Sequence, residues 1–212
     1  ISSPRGRRWA LELREEHDAI LVGSGTLFAD DPRLDRRLGL AASPGTRVIL
    51  DRRLRTPPEA RLFTAPGPIL IYADSVAGYD EERRRAVVGR GATVVPLPAV
   101  TPAAVLADLY GRGVRSVLVE GGGEVLASFA ASGLYDRVKV DCAPMLLGGR
   151  NAPGPLGGEG FPTLAEAARL AGPSCRSVGR GEHGVRRRCA APARGLVHHV
   201  VVVEAGDVGE LH

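Results

Sequence analysis

Residues 17–34, HDAILVGSGTLFADDPRL, decide the fold of this chain. Ala19-Ile20-Leu21-Val22 is a short, continuous apolar run. It stops at Gly23-Ser24-Gly25-Thr26, a cluster of turn residues. A run of that length bounded by turn signals reads as a strand buried on both faces, the kind found in parallel sheets. The pattern recurs at residues 113–132, GVRSVLVEGGGEVLASFAAS, where Val117-Leu118-Val119 runs into Glu120-Gly121-Gly122-Gly123-Glu124 and then a helical stretch from Gly123 to about Ser132. Further strands are expected at Val48-Ile49-Leu50, Ile69-Leu70-Ile71-Tyr72 and Thr93-Val94-Val95. Helices are expected at Glu81 to Val88 and at Pro102 to Tyr110, the latter behind the cap candidate Thr101. This alternation predicts an α/β domain of three layers with a mixed, mainly parallel central sheet.

Upstream, Ser3 and Pro4 suit the cap and first position of a helix that carries Trp9, Leu11 and Leu13. Downstream the pattern changes. Tyr135 to Cys142 alternates as a half-exposed or antiparallel strand does, Gly148 to Gly160 is a glycine- and proline-rich loop, and Leu164 to Leu170 reads as a short helix. Val200 to Val203 is strand-like, with no indication of where it pairs. His198 and His199 beside it read as edge residues. The domain is expected to span 1–170, followed by a diverged, partly irregular segment over 171–212.

The chain has 212 residues, and its charged fraction of 25% and hydrophobic fraction of 44% are those of a globular domain. A net charge of +4 comes almost wholly from Arg, with Lys139 the one lysine. The charges are interspersed except at Arg186-Arg187-Arg188, and aromatics are 4%, so neither a basic stripe nor stacking platforms for nucleic acid are present. A mild positive charge also suits an anionic phosphorylated substrate. No apolar run reaches the ~18 residues of a membrane span. Cys142, Cys175 and Cys189 have no metal-ligand spacing and read as reduced thiols of a cytoplasmic protein, and no metal site is expected.

Three features could carry chemistry. The two glycine-rich turns lie at the carboxyl ends of expected strands, where ligands of open parallel sheets bind. Backbone N–H groups at such a turn and at the following helix N-terminus attract phosphate. Neither turn is a GxGxxG or Walker A motif, and either can be a tight strand-to-helix turn without a ligand. The third feature is Ala29-Asp30-Asp31-Pro32-Arg33-Leu34 with Arg36 and Arg37. The aspartates can simply cap a turn, and the arginines can bind phosphate bidentately or remain solvated.

Taken together, ISSPRGRRWALELREEHDAILVGSGTLFADDPRL (1–34), TRVILDRRLRTPPEARLF (46–63) and GVRSVLVEGGGEVLASFAASGLYDRVKVDCAPMLLGG (113–149) resemble the reductase domain of the bifunctional riboflavin-biosynthesis deaminase–reductase. The spaced pair GxGT…ADDP and the later LVEGG…PxLLGG carry the resemblance, which covers about residues 1–170. It implies a dihydrofolate-reductase-like fold and NADPH-dependent reduction of 5-amino-6-(5-phosphoribosylamino)uracil to the ribitylamino product. Hydride would pass from the nicotinamide C4 to C1′ of the opened ribose. The resemblance places Thr26, Asp30 and the run Gly122, Gly123, Glu124, Val125, Leu126, Ala127 and Ser128 at the cofactor. It places Arg14, Leu34 and Arg37 at the substrate, and Glu120 on the substrate side as a positioning carboxylate. Where this chain has Arg52 the family often has a small hydroxyl residue near the cofactor; an Arg there can meet the 2′-phosphate of NADPH or point to solvent. A homodimer is implied as well.

The chain also departs from the family. The family domain begins with a further strand ahead of the position of Ile1, which adds substrate and cofactor contacts, and without it the sheet would present an edge. The H-x-E and P-C-x-x-C zinc signature of the deaminase half is absent from these 212 residues, so deamination is expected from another chain or an N-terminal part. The GRGEHGVRRRCAAPARG stretch has the composition of a loop. Two readings compete with the leading one: a related NADPH reductase with another substrate, and a non-catalytic remnant of the domain.

Overall fold

The structure, a computed structural model, describes residues 4–142, 154–170 and 199–205. The elements are α1 (Pro4–Glu16), β1 (Ala19–Gly23), α2 (Ser24–Asp30), β2 (Thr46–Leu50), a 3-10 turn (Arg61–Thr64), β3 (Ile69–Asp74), α3 (Glu81–Gly89), β4 (Ala92–Leu97), α4 (Pro102–Gly111), β5 (Val117–Gly121), α5 (Gly123–Ser132), β6 (Arg137–Cys142) and β7 (His199–Ala205). The sheet order is β4-β3-β2-β1-β5-β7-β6. The first five of these strands are mutually parallel, while β7 runs antiparallel to both β5 and β6.

Burial explains the apolar runs. Every residue of β1 and β3 is buried, because helices cover both sheet faces. Leu21, Val48, Tyr72 and Val119 pack on one face with Val105 and Leu109 of α4 and Phe129 of α5. Ile20, Val22, Ile49 and Ile71 pack on the other with Leu27 of α2 and Val87 of α3. Leu13 of α1 meets Leu118. Each such side chain contributes roughly 1.5–3 kcal/mol by leaving water. Edge strand β4 is only partly covered, with Ala92 and Val95 buried and Thr93 and Pro96 exposed.

The cap reading at Thr101 holds: its side chain accepts a hydrogen bond from Ala104 N at 3.3 Å, with Pro102 in the first turn. Asp80, not singled out by the sequence, caps α3 in the same way, accepting from Glu82 N at 2.8 Å. The Ser3 cap and Gly148–Arg150, like Cys175, Cys189, Arg186 to Arg188 and His198, lie outside the described residues.

Two expectations are corrected, and one left open is filled in. Ser24-Gly25-Thr26 is not a turn but the first turn of α2, which Asp31 ends in a left-handed conformation (φ 40°). Leu164 to Leu170 forms no helix, and its apolar side chains find no core: Leu164 is 87% exposed and Leu170 55%. Val200 to Val203 is the strand its sequence suggests, and its partners, which the sequence left open, are β5 and β6, between which β7 inserts.

Candidate functional site

The carboxyl ends of β3, β2, β1 and β5 lie in a row along one edge of the sheet, and the chemistry-bearing residues gather there. At the centre the strand-to-helix junctions after β1 and β5 interlock. A Cβ on Gly23 would sit 2.7 Å from Val125 Cγ2 of α5. A Cβ on Gly121 or Gly122 would sit 3.1 or 3.2 Å from Thr26 Oγ1 of α2. Gly23 is therefore required by packing and Gly121 and Gly122 fit closely against Thr26, whereas a Cβ on Gly25 would meet open space. The same packing leaves two helix N-termini side by side. Neither Gly23 nor Gly122, the residues capping α2 and α5, provides a side-chain cap, and Gly122 has φ 83°, which favours glycine. Among the described residues no side chain caps the first N–H groups of α5, which is the kind of donor set that takes a phosphate. Thr26, half-buried, brings its hydroxyl to the same place.

Glu120 is the displaced residue in an irregular register. Leu21 pairs with Val119, but Val22 pairs with Gly121, so Glu120 is passed over. A bulge of this kind re-aims a side chain. Here the carboxylate meets the last turn of α1: Arg14 Nε and Nη2 donate to Glu120 Oε1 and Oε2 at 2.6 and 2.5 Å. The two side chains are 15% and 10% exposed. Burial works to lower the Arg14 pKa, and the Glu120 carboxylate outweighs it, holding the guanidinium above its ordinary value. Two residues assigned separately to the substrate form one bidentate pair.

Asp35 stands beside this pair and is a residue the sequence reading missed. Arg37 Nη2 lies 2.7 Å and Arg33 Nη2 3.2 Å from its carboxylate. Burial works to raise the Asp35 pKa, but Arg37 and Arg33 prevail and hold it below the usual range. Arg37 remains about half exposed. Arg36 is not available to a phosphate: its guanidinium donates to Arg14 O at 2.9 Å, to Ser43 O at 2.7 Å and to His17 O, closing off carbonyls at the end of α1. Glu15 completes that clamp by accepting from the amides of Leu38, Leu40 and Ala41.

Leu34 has φ 51° and is 1% exposed, packed in the core beneath α2, so only its backbone can face a ligand. Leu126 is likewise a core residue. Ser128 Oγ donates to Val125 O within α5, and Ala127 is half-buried beside it. Asp30 is exposed at the end of α2. Arg52, after β2, is 71% exposed with its guanidinium 3.8 Å from Asp74. Arg55 lies 5.1 Å from the ring of exposed Phe28. No group of three or more His, Cys, Asp or Glu suited to a metal ion occurs among the described residues, and no helix there is long and apolar enough to cross a membrane.

The RibD C-terminal domain family matches residues 1–182. The chain belongs to that family. It is 39% identical over 177 residues to the 2,5-diamino-6-ribosylamino-4(3H)-pyrimidinone 5′-phosphate reductase of Methanothermobacter thermautotrophicus, covering 80% of this chain and 79% of that protein. It is 36% identical over 173 residues to the riboflavin biosynthesis protein RibD of Bacillus amyloliquefaciens, covering 80% of this chain but 46% of that protein. Among solved structures, the RibD of Acinetobacter baumannii superposes with a TM-score of 0.65 at 22% identity, over 98% of this chain and 51% of that one. The RibD C-terminal family is thus represented both by a reductase of similar length and within proteins about twice as long. The fold is the one the sequence resemblance implied.

Proposed function

We propose that this chain reduces a phosphorylated ribosylaminopyrimidine of riboflavin biosynthesis with NADPH as the reductant. The observation that carries the proposal is the pairing of two uncapped helix N-termini with a buried Arg14–Glu120 pair on one sheet edge, in a chain of this family. The residues present fit such a cofactor. Amides at the start of α5, with Thr26, would hold its pyrophosphate. Asp30, exposed at the end of α2, would contact the cofactor too, and Arg52, exposed after β2, would take a 2′-phosphate. When bound, the nicotinamide would supply the hydride that reduces the C1′=N carbon of the opened ribosylamine to the CH2 of a ribitylamino group, the nitrogen taking up a proton.

The chain's own task is binding and orientation. Arg37, half exposed and only partly neutralised by Asp35, receives the substrate's 5′-phosphate. Arg14 is fixed by Glu120 rather than left to search, so its remaining N–H donors approach the substrate pre-oriented. Glu120 positions Arg14. The backbone at Leu34 lines the same side. The substrate ring is either the uracil or the 2-amino form; the archaeal relative's name favours the latter. Deaminated and undeaminated substrates share the phosphoribosylamino arm and the reacting carbon, so these residues serve both. The protein is further proposed to act as a cytoplasmic homodimer, to bind neither nucleic acid nor membrane, and to rely on deaminase activity located elsewhere.

The test is fluorescence titration with NADPH and NADH, followed by turnover with each pyrimidine. NADPH is expected to bind in preference to NADH. Arg52→Ala should erase most of that preference, and Arg37→Ala should raise the substrate KM about tenfold, as loss of a charge-assisted hydrogen bond of ~1.5–3 kcal/mol predicts, while leaving NADPH binding alone. Equal binding of the two nicotinamides by the unaltered chain would contradict the NADPH assignment.

A further inference from the structure

Residues 154–161 run back across the first turns of α5 as a strap. Gly157 N donates to Gly123 O at 2.9 Å, and Gly158 N donates to Glu124 Oε1 at 2.9 Å. The approach is so close that a Cβ on Gly157 would lie 2.7 Å from Glu124 Oε1 and 3.0 Å from Glu124 N. Beyond this contact a cavity of about 320 Å³ separates strap from helix, lined by Ala127, Ala131, Leu156 and Phe161 among others. Among the described residues, the strap is fastened to α5 by two glycine amides, one on the Gly123 carbonyl and one on the Glu124 carboxylate.

That carboxylate is conspicuous. An acidic side chain in the first turn of a helix is ordinarily attracted to the free N–H groups of its own helix. In α5 those are the groups assigned to the cofactor's pyrophosphate, and a carboxylate resting on them would exclude a phosphate by occupancy and by charge. Glu124 instead reaches out to the strap. We infer that Glu124 and the Gly157–Gly158 strap form a latch that sets the anion affinity of α5: docked, the strap draws the carboxylate off the helix amides; released, the carboxylate returns to them and competes with the cofactor. This rests on the cofactor reading above. It makes Glu124 a positioning residue whose side chain opposes binding unless held, and it couples strap docking to NADPH affinity.

Two conservative variants separate the latch from a plain structural contact. Glu124→Gln keeps an acceptor for Gly158 N and removes the charge. Glu124→Asp keeps the charge but is one methylene too short to reach the strap. NADPH binding is expected to tighten about threefold in Glu124→Gln and to weaken about tenfold in Glu124→Asp, the scale of a charge acting at a helix N-terminus. Gly157→Ala, which forces the strap off, should weaken binding about tenfold in the unaltered chain and under threefold in the Glu124→Gln background. Thermal unfolding of each variant verifies folding, and the Glu124 pair decides the matter even if Gly157→Ala fails to fold. Shifts in the same direction for Gln and Asp, or an equal loss from Gly157→Ala in both backgrounds, would overturn the latch while leaving the cofactor reading intact. Failure of the unaltered chain to bind NADPH would overturn both.

Discussion

Glu120 shows what a residue's identity reveals and what only its geometry does. A carboxylate next to glycines at a strand end is visible in the sequence; the bulge that turns it toward Arg14 is not, because register depends on a neighbouring strand about a hundred residues away in the chain. Arg14→Ala leaves Glu120 poorly solvated and unpaired, and should cost on the order of 3 kcal/mol in urea unfolding. Arg14→Lys, which keeps the charge and loses the planar fork, should cost less and still raise the substrate KM. Arg36 and Arg37 are indistinguishable as letters, yet one clamps carbonyls of α1 and the other faces solvent. Asp35 supplies a pH signature. Its folded pKa lies below its unfolded value of about 3.9, so its stabilisation is complete above that pH and is lost as pH falls through the folded value. The stability gap between the unaltered chain and Asp35→Asn, measured by urea unfolding, should be constant near neutrality and close below about pH 4.

At the scale of elements, periodicity and caps located most strands and long helices, because β1, β3, α4 and α5 are shaped by local pattern and burial together. The failures have physical causes. The seven-residue α2 has two glycine or serine positions in its first turn and too short a span for a period, and it exists because Leu27 is buried under β1 and β2. Leu164 to Leu170 has a helical pattern but nothing to pack against, and a segment of that length does not hold a helix unaided. The interlock of the junctions after β1 and β5 is testable here. Gly23→Ala drives a methyl into Val125 and should destabilise by about 1–3 kcal/mol. Val125→Ala opens that space, so the double variant should recover most of the loss relative to Val125→Ala alone. Additive losses in urea unfolding would show that the two junctions do not touch as described.

On the scale of the whole molecule, the parallel half of the sheet was readable as a class, and its order was not. Short apolar strands name their environment, not their neighbours, and β7 in particular gave no sign that it would enter between β5 and β6. A candidate site was easier to propose, since the carboxyl ends of parallel strands are where α/β ligands bind and both glycine-rich segments lie there. The chain belongs to the RibD C-terminal domain family, and the proposed function puts two anionic ligands along the edge that carries Thr26, Arg52, Glu120 and Gly122, with the α1 clamp behind Arg14. The most direct measurement mixes the chain with NADPH and, in parallel, the uracil and 2-amino forms of the 5′-phosphorylated ribosylaminopyrimidine, and follows nicotinamide oxidation and the ribityl product. The account predicts stoichiometric NADPH consumption and ribityl product with at least one of the two, sharply reduced in Arg37→Ala. NADPH binding without turnover of either pyrimidine would contradict it, and would place this chain among reductases of another substrate or among non-catalytic members of the family.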